Sequence, residues 1–202
     1  MFMQIVQGKI KDRAAAKATM DRWLAEVEPG AEGWLGGTYG VTDEGQLVAC
    51  VRFRDHAAAQ ANSSRPEQSA WWREMEQHFE GPVTFHDCED VSLLLGGGSD
   101  EAQFVQVIQA RVTDRDRLHR LMDESSSLLA QYRPDVLGGT IAIDDDGLVT
   151  ETIAFTSEAA ARSAEQQELP AEAQEAMSLL TDVQYLDLHD PWFATAKKQG
   201  RR

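Results

Sequence analysis

Residues 2–13 read FMQIVQGKIKDR, and residues 104–115 read FVQVIQARVTDR. Five of the twelve positions are identical, and most of the others are conservative exchanges. The same offset of 102 residues carries Leu35-Gly36-Gly37-Thr38 onto Leu137-Gly138-Gly139-Thr140. Several blocks in one register indicate an internal repeat, so the chain consists of two copies of one domain.

Each copy has the pattern strand, helix, strand, strand, helix, strand. In the first copy a strand precedes Asp12, whose side chain is suited to cap a helix, and apolar residues then recur at helical spacing. The turn Asp43-Glu44-Gly45 joins two strands as a hairpin, and Pro66 begins the second part of an interrupted helix. This order predicts an α+β, ferredoxin-like domain with both helices on one face of an antiparallel sheet.

The other face of each sheet is apolar and has to be covered. We therefore expect the two ferredoxin-like repeats (βαββαβ) to form an intramolecular pseudo-dimeric α+β barrel. The predicted domains are residues 1–95 and 104–193, joined by a Gly-rich linker at residues 96–103. A basic tail follows at residues 194–202, and we expect it to be disordered.

Three later elements complete the prediction. The fourth strand of the first copy covers residues 83–95 and bends near Asp87. In the second copy the last helix covers residues 158–180 and the last strand covers residues 183–189.

The chain has 202 residues and a formal net charge of −15. Nucleic acids and anionic membrane surfaces attract cations, so this charge argues against both as partners. No apolar run approaches the ~18 residues that a membrane helix needs, and no signal-peptide pattern is visible. We expect a cytoplasmic protein that is a monomeric pseudo-dimer or a weak homodimer.

The sequence predicts no metal and no cofactor. None of the five histidines has a His or Cys at a metal-binding spacing, and no glycine motif suited to phosphate binding precedes a helix. Cys50 and Cys88 are expected to be reduced thiols, although a disulfide between them stays an alternative.

Three segments resemble the antibiotic biosynthesis monooxygenase superfamily of dimeric α+β barrel proteins. They are PGAEGWL at residues 29–35, VRFRDHAAA at residues 51–59 and FTSEAAA at residues 155–161. Members of this superfamily usually build the barrel from two chains, so the resemblance implies a fused version. It also implies a cofactor-independent monooxygenase or related enzyme that acts on a small apolar or aromatic molecule in a half-barrel pocket.

A non-catalytic small-molecule-binding or stress-associated module of the same fold is the alternative, so the sequence leaves open whether the protein is an enzyme. Haem-degrading relatives use an Asn on the first strand and a Trp and a His on the second helix. Those positions hold Val6, Asn62 and Trp72 here, which disfavours haem degradation. Other members carry a His where this chain has Glu67-Gln68.

Five residues are the candidates for substrate binding. Gln4 and Gln106 occupy matching strand positions among apolar residues, where a buried amide needs a hydrogen-bond partner. Tyr39 and Trp72 supply aromatic walls suited to a planar ligand. Asn62 lies at the position where haem-degrading relatives carry their Trp.

His78 is the candidate for a catalytic base, because it lies on the second helix of the first copy near Trp71 and Trp72 and could point into a cavity. A histidine at the surface or rim of the domain is the alternative interpretation.

Overall fold

The computed structural model describes residues 1–196, and within the helix of residues 115–132 it describes no side chains for residues 123–128, 130 and 131. The described chain forms two compact units. The first unit consists of residues 1–89 and the segment that begins at Trp192, and the second consists of residues 90–191. None of the described helices has the length and apolar character needed to cross a membrane.

The first unit has a five-stranded antiparallel sheet and three helices. Its elements are β1 (Phe2–Lys9), α1 (Arg13–Glu26), β2 (Trp34–Val41), β3 (Gln46–Phe53), α2 (His56–Ser63), α3 (Pro66–Met75), β4 (Thr84–Cys88) and β10 (Trp192–Thr195). The strand order is β10-β2-β3-β1-β4, so β1 is hydrogen-bonded on both sides.

The second unit repeats this arrangement. Its elements are β5 (Asp90–Leu94), β6 (Phe104–Val112), α4 (Arg115–Tyr132), β7 (Val136–Ile143), β8 (Leu148–Phe155), α5 (Glu158–Glu165), α6 (Ala171–Ser178) and β9 (Leu180–Leu188). The strand order is β5-β7-β8-β6-β9. The predicted α+β fold of two ferredoxin-like repeats is confirmed, and the closure of the two sheets into one barrel stays a prediction.

The repeated aspartates begin the first helix of each copy. Asp12 accepts a hydrogen bond from the backbone N–H of Ala15 at 3.0 Å, and Asp114 accepts one from Arg117 at 2.9 Å. Each bond satisfies one of the four backbone N–H groups that a helix leaves unpaired at its start. The two copies therefore share an aspartate at this position, and in each copy it caps the first helix.

The fourth strand of the first copy is divided between two sheets. The sequence predicts one bent strand over residues 83–95, but Glu89 separates β4 from β5, and β5 pairs with β7 of the second sheet. In the same way the chain continues from β9 to β10, which pairs with β2 of the first sheet. The compact units consequently divide at Glu89 and Pro191, which differs from the predicted domains at residues 1–95 and 104–193.

Two further predictions need correction. The helix predicted over residues 158–180 is divided into α5 and α6, because Pro170 has no backbone N–H and an extended conformation with ψ 152°. The predicted tail at residues 194–202 begins too early, since Ala194 and Thr195 pair with Gly37 and Gly36 in the sheet. The remainder of the predicted tail, residues 197–202, lies outside the described residues.

The strand pleat assigns side chains of β1 to two faces. Phe2 and Val6 pack with helix residues such as Met20 and Trp23, so the face that also carries Gln4 is directed toward the helices. Met3, Ile5 and Gln7 lie on the opposite face and are also buried. The two cysteines of the first unit, Cys50 and Cys88, are buried on strands that flank β1 and are not joined by a disulfide.

We expect Gly138→Ala to lower the free energy of unfolding by about 3 kcal/mol. Gly138 has a φ of +154°, and an added Cβ would overlap the backbone carbonyl oxygen of Gly97. The control is Gly96→Ala, at φ +87° with no atom within 4 Å of the added Cβ, which should cost only about 1 kcal/mol. Urea denaturation measures both, and equal losses would contradict the proposed steric conflict.

Candidate functional site

The first unit contains a cavity of about 450 Å³ between its sheet and its helices. The sheet side of the lining comes from β1 to β4, and the opposite side comes from α1 to α3 and the turn that follows. The lining residues are Gln4, Val6, Met20, Trp23, Tyr39, Leu47, Ala49, Val51, Phe53, Asn62, Ser63, Gln68, Ser69, Trp71, Trp72, Arg73, Met75, Phe79 and Phe85. Its volume lies in the range typical of sites for small organic molecules.

Three tryptophans form the aromatic part of the cavity wall. The ring of Trp23 lies 6.2 Å from that of Trp71, and the ring of Trp72 meets Phe85 edge-on at 5.2 Å. The indole N–H of Trp71 donates to the backbone carbonyl of Thr19 at 2.8 Å. These contacts hold large flat surfaces against the cavity, which suits a planar aromatic ligand.

Tyr39 contributes a neutral phenol to the sheet side. Its side chain is 2% exposed, and its ring stacks on Trp192 of β10 at 6.3 Å. Burial raises the pKa of the Tyr39 hydroxyl well above its ordinary value, so the group stays protonated at neutral pH. The hydroxyl lies over Gly37, where any added Cβ would overlap it, and a glycine is therefore required two residues before the tyrosine.

A network of side-chain amides lies on the helix side. Trp23 Nε1 donates to Gln68 Oε1 at 2.6 Å, and Asn62 Nδ2 donates to the same oxygen at 3.3 Å. Arg65 Nη1 donates to Asn62 Oδ1 and to the backbone carbonyl of Val27, both at 3.0 Å. Gln68 was missed by the site prediction, although the sequence places it where related proteins carry a His.

Four of the five predicted substrate-binding residues line this one cavity: Gln4, Tyr39, Asn62 and Trp72. Gln4 is half-buried at the β4 side, where its Nε2 donates to Asp87 Oδ1 at 2.8 Å.

The fifth, Gln106, belongs to the second unit. It is 5% exposed, and its Nε2 donates to Asp187 at 3.0 Å and to Glu165 at 3.5 Å.

The structure places His78, the predicted catalytic base, outside the described cavity lining. Its Nε2 lies 2.9 Å from the hydroxyl of Thr19 on α1, which is itself buried. The described lining includes no carboxylate and no imidazole, and Arg73 is its one formally charged side chain. The cavity can thus enclose an apolar molecule and form hydrogen bonds with it, while its own lining offers no group that titrates near neutral pH.

The second unit differs at the matching positions. Ala49 pairs with Val6 and Tyr39 in the first sheet, and Glu151 pairs with Ile108 and Ile141 in the same register of the second. A carboxylate thus replaces a methyl group on the helix-facing side of the sheet. Burial raises the pKa of Glu151 to about 7.

Comparisons with known proteins find similarity in structure. No family model matches the sequence, and no curated protein matches it. A candidate monooxygenase from Lactobacillus acidophilus superposes with a TM-score of 0.73 at 13% identity, over 96% of this chain and 95% of that one. The chain has the fold of this candidate monooxygenase.

Two further solved structures extend the likeness. A candidate monooxygenase from Fusobacterium nucleatum has a TM-score of 0.73 at 8% identity, over 96% of this chain and 94% of that one. An anthrone oxidase-like protein has a TM-score of 0.69 at 12% identity, over 98% of this chain and 94% of that one. The resemblance predicted from the sequence is confirmed at the level of the fold, over both repeats.

We expect Glu151→Gln to stabilise the protein at pH 8 and to change its stability little at pH 4. The folded-state pKa of about 7 lies above the ordinary value of 4.5, so the carboxyl group costs no ionisation energy at pH 4. Between pH 4.5 and pH 7 this carboxyl group ionises in the unfolded chain but stays protonated in the folded one. Its ionisation therefore lowers the free energy of unfolding as the pH rises, and above pH 7 the loss reaches at most about 3 kcal/mol.

Urea denaturation at the two pH values measures the difference. Glu168→Gln, at an exposed position in the same unit, is the control and should show no such pH dependence. A Glu151→Gln variant with the same effect at pH 4 and pH 8 would contradict the raised pKa of this half-buried carboxyl group.

Proposed function

We propose that the first unit binds a small, planar, largely apolar molecule and acts on it as a cofactor-independent monooxygenase. The observation that supports this is the cavity of about 450 Å³, with its aromatic walls and neutral polar groups. The fold of candidate monooxygenases over both repeats is consistent with the proposal. The likeness by itself establishes the fold and no activity.

The chemistry that such a cavity supports relies on the substrate as the electron donor. An anthrone, the class named for one structural neighbour, carries a CH₂ group that loses a proton to give an enolate. With O₂ this carbon becomes a carbonyl, and the second oxygen atom leaves as water. The protein would hold the planar ring system, exclude bulk water and donate hydrogen bonds to the oxygen where negative charge develops.

A non-catalytic binding module is the second candidate function. The observation in its favour is that the described cavity lining contains no carboxylate or imidazole to accept the substrate's proton. In this case the protein would bind the same planar class of molecule without oxygen uptake. Binding and oxygen consumption, measured on one preparation, therefore separate the two functions.

All five strands of the sheet beside the cavity come from one polypeptide, β10 included. We accordingly propose that a single chain binds the ligand. The acidic charge of −15 supports an uncharged or weakly charged small molecule over a nucleic acid.

We expect Ala49→Leu to weaken anthrone binding by about tenfold or more, a loss of about 1.4 kcal/mol. Ala49 is 5% exposed at the sheet side of the cavity, and the longer side chain enters the space that the ligand would occupy. Quenching of tryptophan fluorescence measures the dissociation constant, because Trp23, Trp71 and Trp72 line the cavity.

The control is Ala57→Leu, at an exposed position of α2, which should bind as the wild type does. An oxygen electrode then measures uptake with anthrone in the presence of a metal chelator. Equal binding by both variants would place the ligand elsewhere, and binding without oxygen uptake would favour the non-catalytic module.

A further inference from the structure

The orientation of the Gln68 side-chain amide is fixed by its neighbour. The indole N–H of Trp23 can only donate a hydrogen bond, so the atom of Gln68 that lies 2.6 Å from it has to be the carbonyl oxygen. The same oxygen also accepts from Asn62 Nδ2. Both contacts occupy Oε1, and the described residues give Nε2 no partner.

The Asn62 amide is fixed in the same way. The guanidinium of Arg65 is also a donor without acceptor capacity, and its Nη1 lies 3.0 Å from Asn62 Oδ1. Arg65 itself is held by the carbonyl of Val27 and packs over Gly30, where an added Cβ would overlap the guanidinium. Asn62 therefore directs its Nδ2 toward Gln68, and one N–H of this group is left over.

The two amides consequently offer N–H donors on the helix side of the cavity. Arg73, the one formally charged residue of the described lining, is also a donor. Gln4 on the sheet side donates one N–H of its Nε2 to Asp87, which leaves its second N–H and its Oε1 for other partners. The lining therefore presents oriented amide N–H donors on its helix side, in addition to the groups of Gln4 on its sheet side.

We infer that the cavity selects planar ligands with an acceptor oxygen, a carbonyl, phenolate or enolate, which accepts hydrogen bonds from Gln68 Nε2. This inference rests on the proposed function, because it concerns the same cavity and specifies the chemistry of its ligand. Gln68 is a positioning residue for that oxygen, and the contacts of Trp23 and Arg65 orient the donors before the ligand arrives. A donor that is already oriented needs no reorganisation when charge develops on the ligand oxygen.

Two ligands that differ in one oxygen test this inference. Anthrone has a carbonyl at the central ring, and 9,10-dihydroanthracene has a CH₂ at the same place. Wild-type protein should bind anthrone about tenfold more tightly or better, the difference expected from one or two neutral hydrogen bonds. Tryptophan quenching measures both dissociation constants under anaerobic conditions, so that turnover does not interfere.

Gln68→Glu keeps the oxygen that accepts from Trp23 and replaces the NH₂ group by a second acceptor oxygen. We expect this variant to lose the preference for anthrone over dihydroanthracene. Its binding of anthrone should weaken about tenfold or more, whereas its binding of dihydroanthracene should change less than about threefold. Gln68→Met removes the donors without adding charge and should also abolish the preference. Gln77→Glu, the same charge change at an exposed position outside the described lining, should retain it.

The outcomes separate the inference from the proposed function. A wild-type protein that binds neither ligand would overturn the proposed function and this inference with it. Equal binding of the two ligands by the wild type would overturn the inference alone. A preference that persists in both Gln68 variants would also overturn it, since the carbonyl would then be recognised by another group.

Discussion

The position of β1 between β3 and β4 determines the cavity of the first unit. Gln4 lies between Val51 and Asp87, and Val6 lies between Ala49 and Phe85. Hydrogen bonds on both sides fix this register, and a slip of one residue would exchange the two faces of the strand. Phe2, Gln4 and Val6 would then leave the helix-facing side, and the cavity would lose that part of its lining.

The local parts of this architecture could be predicted from the sequence. The repeat at an offset of 102 residues, the aspartate caps and the glycine-containing hairpin turns each depend on neighbouring residues, and each is found in the structure. The division of one strand into β4 and β5 could not be predicted in the same way. It depends on the pairing of β5 with β7, whose residues lie about 50 positions further along the chain.

In the candidate site, too, the sequence indicates single conspicuous residues but not the contacts between residues that lie far apart in the chain. Tyr39 and Trp72 stand out in the sequence because aromatic residues are conspicuous, and Gln4 because it is polar among apolar neighbours. Gln68 has neither property: it is a half-buried glutamine in the first turns of a polar helix. Its importance comes from Trp23, 45 residues earlier, which occupies its oxygen. His78 follows an aromatic segment but lies beside Thr19, because the chain has already left α3 at Met75.

The first unit receives its last strand from the far end of the chain. Trp192 stacks on Tyr39, and Ala194 and Thr195 pair with the glycines that precede it in β2. The ribosome synthesises β10 only after the whole second repeat, so a nascent chain that ends before residue 192 leaves the edge of β2 unpaired. The cavity wall behind Tyr39 therefore forms only after the second repeat has been synthesised, and a product truncated before residue 192 lacks it. Until then, β2 is an exposed edge strand of the kind that pairs with other chains, and β10 covers this edge once it has been synthesised.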